Sequence, residues 1–163
     1  MKLTSLQDLF LHTLQDVYYA EKHILKALPG MAKKADDAAL ADAFTAHEAE
    51  TKTQIERLEQ VFEMLGQTAK GVKCHAIEGI LKEATEIMDD CEDPNALDAG
   101  MIAAAQAVEH YEFTRYGTLA SWARTLGHSK AIALFEASRD EEIGADVKLT
   151  KLAEACLNRQ AVA

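Results

Sequence analysis

The sequence predicts an all-α protein built as a four-helix bundle, and three observations carry that expectation. Strong helix formers dominate, with only two prolines and eight glycines in 163 residues. Apolar residues recur at three- and four-residue spacing through four long segments. Two short links and one long link join those segments.

Helix one is expected to start after Thr4 or Ser5, with Thr4 and Gln7 as a capping box. Its apolar stripe is Leu6, Leu9, Phe10, Leu14, Val17, Ile24, Leu25 and Leu28; Pro29-Gly30 should kink or end it, with "MAKKA" beyond as a further turn or two if it only kinks. Helix two begins near Asp36 to Ala39. It carries the line Leu40, Phe44, His47, Thr51, Gln54, Leu58, Val61 and Leu65, and Gly66 is its stop. The connection from Gly66 to Asn95 holds a short amphipathic helix, Ile77 to Met88, opened by Cys74 as a buried small apolar residue. Helix three starts at Asp93-Pro94, an N-cap followed by a proline at the first helical position, and stops at Gly127. Ser129 should cap helix four, which runs to about Leu157. Short, long, short is the link pattern of a ferritin-like antiparallel bundle, here one domain over residues 1–163.

The formal net charge of −10 argues against a nucleic-acid or anionic-membrane partner and suits cations. Three scattered cysteines without a C-x-x-C pair, and an N-terminus without an apolar signal stretch, lead to a cytoplasmic expectation.

Acids interrupt the buried faces. Glu21 stands in the line Val17, Glu21, Ile24, Leu28, and Glu142 in the line Phe135, Ser138, Glu142, Ala145, Leu149. Helix three carries Glu109 and Glu112 beside its apolar stripe, and helix two carries His47, Glu50 and Gln54 as a polar patch. At 1.5 Å rise per residue, Glu50 and Glu142 each lie about 18 Å from the starts of their helices. Glu112 lies roughly 21 Å before the end of helix three, and Glu21 roughly 21 Å before Ala35 if helix one continues that far through its proline, so the carboxylates can share one layer. Buried like charges would otherwise protonate. Two divalent metal ions, iron or manganese, would satisfy them, and no cysteine lies nearby to suggest structural zinc. The expected metal residues are Glu21, His47, Glu50, Glu109, Glu112, Glu142 and Asp146. Glu50 and Glu142 are the bridging candidates, and Asp146 is either a ligand or an orienting neighbour. The order His47-x-x-Glu50 reverses the Glu-x-x-His of known di-metal bundles.

Single acids beside a stripe are usually solvated, so the expectation rests on their coincidence across four helices. Glu48 and Lys52 read as an ordinary surface pair, and Arg139 as the partner of a neighbouring acid. His110 points about 100° away from Glu109 and is not assigned as a ligand. His12, His23, His75 and His128 read as surface residues, the tyrosines as packing, and Gly117 as room for a close neighbour.

The segments "YYAEKHILKALPGMA", "HEAETKTQIERLEQVFE", "DAGMIAAAQAVEHYEFTRYGTLASWARTLG" and "DEEIGADVKLTKLAE" together resemble the YciF-like stress proteins of the ferritin-like superfamily. The Glu109-x-x-Glu112 pair is similar to that of rubrerythrin-like bundles. The resemblance implies a five-helix ferritin-like fold, a homodimer, a role under general stress, and Glu21, Glu50, Glu109, Glu112 and Glu142 as the relevant acids. It implies no defined reaction. Two functions follow as expectations: a non-haem di-metal protein that handles iron, peroxide or dioxygen, or a non-catalytic dimeric stress protein with a vestigial metal site. Iron storage in a cage is the weaker third, for want of a cage-forming helix.

Overall fold

The computed structural model describes residues 3–162. In chain order the helices are α1 (Leu6–Lys34), α2 (Ala38–Met64), α3 (His75–Asp90), α4 (Pro94–Leu126) and α5 (Ser129–Leu152). A π-helical turn, Ala153–Leu157, and a last short helix, α6 (Asn158–Gln160), extend α5. The four long helices α1, α2, α4 and α5 are those expected as helices one to four. α1 packs on α2 and α4, and α5 packs on α4 and α2. The crossover helix α3 lies against α4 and α1. The fold is therefore the all-α, ferritin-like antiparallel four-helix bundle with one long crossover that carries a short extra helix.

Local chemistry explains the boundaries. Asp93 accepts the Ala96 amide at 2.8 Å with Pro94 behind it, and Asp37 accepts that of Leu40 at 2.9 Å. Gly66 and Gly127 end α2 and α4 at φ of 63° and 80°, a backbone region where a Cβ is penalised.

Two boundaries differ from expectation, and a third chooses between alternatives. The first cap is Ser5, which accepts the Asp8 amide at 3.1 Å. Asp8 reaches back to the Thr4 amide at 3.0 Å, so the box is built on Ser5 and Asp8 and not on Thr4 and Gln7. Among the alternatives left open at Pro29, α1 takes the further turns and runs on to Lys34. Pro29 is exposed, and Met31 beyond it is buried, so packing holds a helix that the missing amide weakens. Ser129 is the first residue of α5 and not its cap. The cap position is His128, which makes no side-chain cap bond. Its ring stacks on Phe10 at 5.3 Å instead, so His128 is half-buried and not a free surface residue.

The close approach expected at Gly117 is elsewhere. A Cβ there would meet Arg139 at an ordinary 3.7 Å, whereas one at Gly100 would lie 2.6 Å from Ile87 of α3. Gly100 is the residue that lets the crossover helix sit down on α4.

The core falls into two apolar clusters, and a polar layer separates them along every long helix. On α1, Val17 belongs to one cluster and Ile24 to the other, with Glu21 between. On α2 the flanking residues are Phe44 and Leu58, around His47 and Gln54. On α4 they are Val108 and Tyr116, around Glu109 and Glu112, and on α5 Leu149 and Phe135, around Glu142. The common depth expected for the acids is thus the plane where the two clusters meet.

Candidate metal centre

Each long helix contributes to that plane because its apolar stripe has to pass through it. Glu21, Glu112 and Glu142 have no exposed surface, and Glu109 and His47 keep 3% and 6%. His47, Glu109, Glu112 and Glu142 each offer a ligand atom within 4.8 Å of the others. His47 Nε2 lies 3.4 Å from Glu109 Oε1 and 3.6 Å from Glu142 Oε2. Among the described residues, seven buried polar atoms lack any partner, and all belong to this layer: Glu21 Oε2, His47 Nε2, Gln54 Oε1, Glu109 Oε2, both Glu112 oxygens and Glu142 Oε2. Native interiors pair nearly all such atoms, so a convergent group of orphans points to a binding partner.

Neighbours hold these side chains in place. The Tyr116 hydroxyl donates to Glu21 Oε1. Gln54 Nε2 donates to Glu142 Oε1, and to Glu141 Oε2 at 3.1 Å. Arg57 grips Glu141 through two bonds of 2.6 and 2.7 Å. The His47 Nδ1 edge faces Glu50 Oε2 at 3.3 Å, which leaves Nε2 turned toward the acids.

Proton affinities show the strain of crowding acids without a cation. Burial, then the charge of Glu142, pushes Glu21 up to about 8, against the opposing bond from Tyr116. Burial pushes Glu109 up to about 7, with the charges of Glu21 and Asp146 adding to it against a lowering bond with Glu142. Glu112 and Glu142 rise well above the carboxylate range, burial again leading. Burial alone would lower His47, but the bond to Glu50 and the charges of Glu142 and Glu21 outweigh it and raise this imidazole.

Of the seven expected residues, the structure brings Glu21, His47, Glu109, Glu112 and Glu142 into the layer and leaves two beside it. Glu50 is half-buried, with 45% of its side chain exposed, and stands behind the His47 ring and not between the acids. Three residues of α2 turn it about 60° from His47, toward the edge of the helix. Asp146 lies one turn beyond Glu142. It accepts a bond from Gln106 Nε2 at 2.9 Å and sits 3.4 Å from His110 Nε2. Those partners engage it outside the four-residue group, and His110 is exposed beside it. Gln54 and Tyr116 went unassigned, although Gln54 lies seven residues from His47 and Tyr116 four from Glu112, each on the same helix face.

Between α2 and α5 a pocket of about 190 Å³ opens to solvent and reaches His47 and Glu109.

Fold and donor set together define an all-α bundle with a buried carboxylate–imidazole layer able to hold metal. The chain belongs to the DUF892 family, described as a domain of unknown function, whose pattern matches residues 5–162. It is 43% identical to Protein YciF of Escherichia coli over 162 residues, 99% of this chain and 98% of that one. The crystal structure of the E. coli stress protein YciF superposes with a TM-score of 0.91, covering 96% of this chain and 99% of that one at 43% identity. YcfI of Rhodopseudomonas palustris, provisionally called a structural protein, gives 0.90 at 48% identity over 91% of this chain and 95% of that one. A Xanthomonas campestris protein shares the fold alone, with a TM-score of 0.74 at 21% identity over 97% of this chain and 100% of that one. Among the described residues no helix is long and apolar enough to cross a membrane.

Proposed function

We propose that this protein holds two divalent metal ions, iron or manganese, in the polar layer and acts there on peroxide or dioxygen as part of a stress response. The observation that carries the reading is the convergence of the orphaned atoms of Glu21, His47, Glu109, Glu112 and Glu142 from four helices. Four carboxylates balance the charge of two divalent ions. Oxygen and imidazole donors without sulfur suit iron and manganese. Glu142, which faces donors from α2 and α4, is the best placed bridging residue, with Glu21, Glu109, Glu112 and His47 around it.

Such ions would supply one-electron chemistry at an O–O bond. The protein's own part is positioning. Tyr116 and Gln54 fix one oxygen each of Glu21 and Glu142, and Glu50 fixes the imidazole. The apolar clusters on either side exclude water from both ends of the layer. The role under stress is carried over from the likeness to YciF.

The test is elemental analysis of protein purified without chelators, followed by peroxide turnover. Less than about one equivalent of metal per chain would end the reading. One observation favours the non-catalytic alternative: among the described residues His47 is the one imidazole in the layer, and His110 lies outside it beside Asp146. Full metal occupancy with no consumption of peroxide or dioxygen would decide for it.

A further inference from the structure

We infer that the opening between α2 and α5 is a binding pocket for a short aliphatic molecule ending in an O–H group, an alcohol or an alkyl hydroperoxide. Its place beside the ions rests on the two-metal reading; its capacity to bind does not.

Size comes first. A cavity of about 150 Å³ takes benzene, and drug-sized ligands need roughly 300 Å³ or more. At about 190 Å³ the pocket suits a molecule of a few carbons and exceeds what peroxide or a metal ion requires. Its wall is mostly apolar, formed by Ala43, Phe44, Ala145 and Leu149, and the acid that also lines it, Glu141, is engaged by Arg57. Its inner end is not. His47 and Glu109, 94% and 97% buried by their exposures of 6% and 3%, line it, and each carries a buried polar atom without a partner, Nε2 and Oε2. A hydroxyl both donates and accepts, so it matches this pair whichever of the two carries the proton. With ions present the same end would face them. At the mouth stand Glu50 and Lys148, of opposite charge.

Gly144 bears on how the pocket stays open. Glycine weakens a helix interior, yet here no positive φ requires it and no atom lies within 4 Å of where its Cβ would be. The residue lines the mouth, so a larger side chain would grow into the opening without disturbing the bundle.

The experiment titrates tert-butanol and tert-butyl hydroperoxide into uniformly ¹⁵N-labelled chelated protein, and separately mixes the hydroperoxide with iron-loaded protein and measures the products. It follows the amides of Phe44, Ala145 and Leu149 in wild type, Gly144→Leu and Gly79→Leu. Gly79 also has nothing near its absent Cβ but does not line the pocket, so it controls for added helix propensity. The expected result is saturable shifts at those amides, at least about tenfold weaker in Gly144→Leu and unchanged in Gly79→Leu. Should Gly144→Leu fail to fold, Ala46→Leu narrows the same mouth from α2. Hydroperoxide reduced to alcohol and water by protein loaded with two ferrous ions, each giving up one electron as the O–O bond breaks and solvent supplies the protons, makes the hydroperoxide the natural class; both probes bound unchanged makes it the alcohol. No shift at the pocket amides, or equal binding by the narrowed variants, overturns the inference. Protein that never binds metal but still shifts with tert-butanol would sink the two-metal reading and leave the pocket standing.

Discussion

Replacing Glu21 by glutamine should stabilise the metal-free protein and at the same time weaken metal binding. Glu21 has its proton affinity raised from 4.5 to about 8 by burial and by Glu142. A carboxyl raised in the folded state contributes stability that is fully present below about 4.5 and lost as pH rises toward 8, because the unfolded chain ionises first. At about 1.36 kcal/mol per unit, the loss at pH 7.5 is of order 4 kcal/mol, against under about 1 kcal/mol at pH 5. Glutamine has the same shape, cannot ionise, and its carbonyl can still accept from Tyr116. Urea unfolding followed by circular dichroism, on chelated protein at both pH values, should show the variant ahead mainly at pH 7.5. Saturating metal should reverse the order, since ions favour the ionised wild type. A variant destabilised equally at both pH values would refute the argument that Glu21 is a buried acid waiting for a cation.

Other outcomes follow from the same geometry. Glu142→Ala should abolish stoichiometric metal binding, whereas Glu50→Ala should keep the stoichiometry and lose roughly 10- to 100-fold in affinity, as removal of an orienting neighbour does; isothermal titration with manganese separates the two. Tyr116→Phe should cost about 1–3 kcal/mol in chemical unfolding of the metal-free protein by leaving Glu21 Oε1 unpaired. Pro29→Ala should raise stability by about 1–3 kcal/mol, read as a higher melting temperature, because α1 already runs through an exposed proline.

What was legible in the sequence followed from local rules. The stripes of α1, α2, α4 and α5, the stops at Gly66 and Gly127, and the cap at Asp93-Pro94 depend on residues within a turn or two of one another. Link lengths then set the order of the bundle. The acids Glu21, Glu109, Glu112 and Glu142 were legible because each interrupts or borders an apolar line; the rise per residue put Glu21, Glu112 and Glu142 at one depth, but put Glu50 there as well. The sequence by itself therefore determined the helices, the bundle and the existence of a polar layer. Which side chains meet inside the layer was decided by the tertiary structure. A rotation of about 60° along α2 separates His47 from Glu50, and no local pattern says which of them faces three other helices. Gln54 and Tyr116 gained their roles only when α5 and α1 brought Glu142 and Glu21 to them, 88 and 95 residues away in sequence. Asp146 was drawn off by Gln106 and His110 of α4 for the same reason: a carboxylate settles with the donors that packing places beside it.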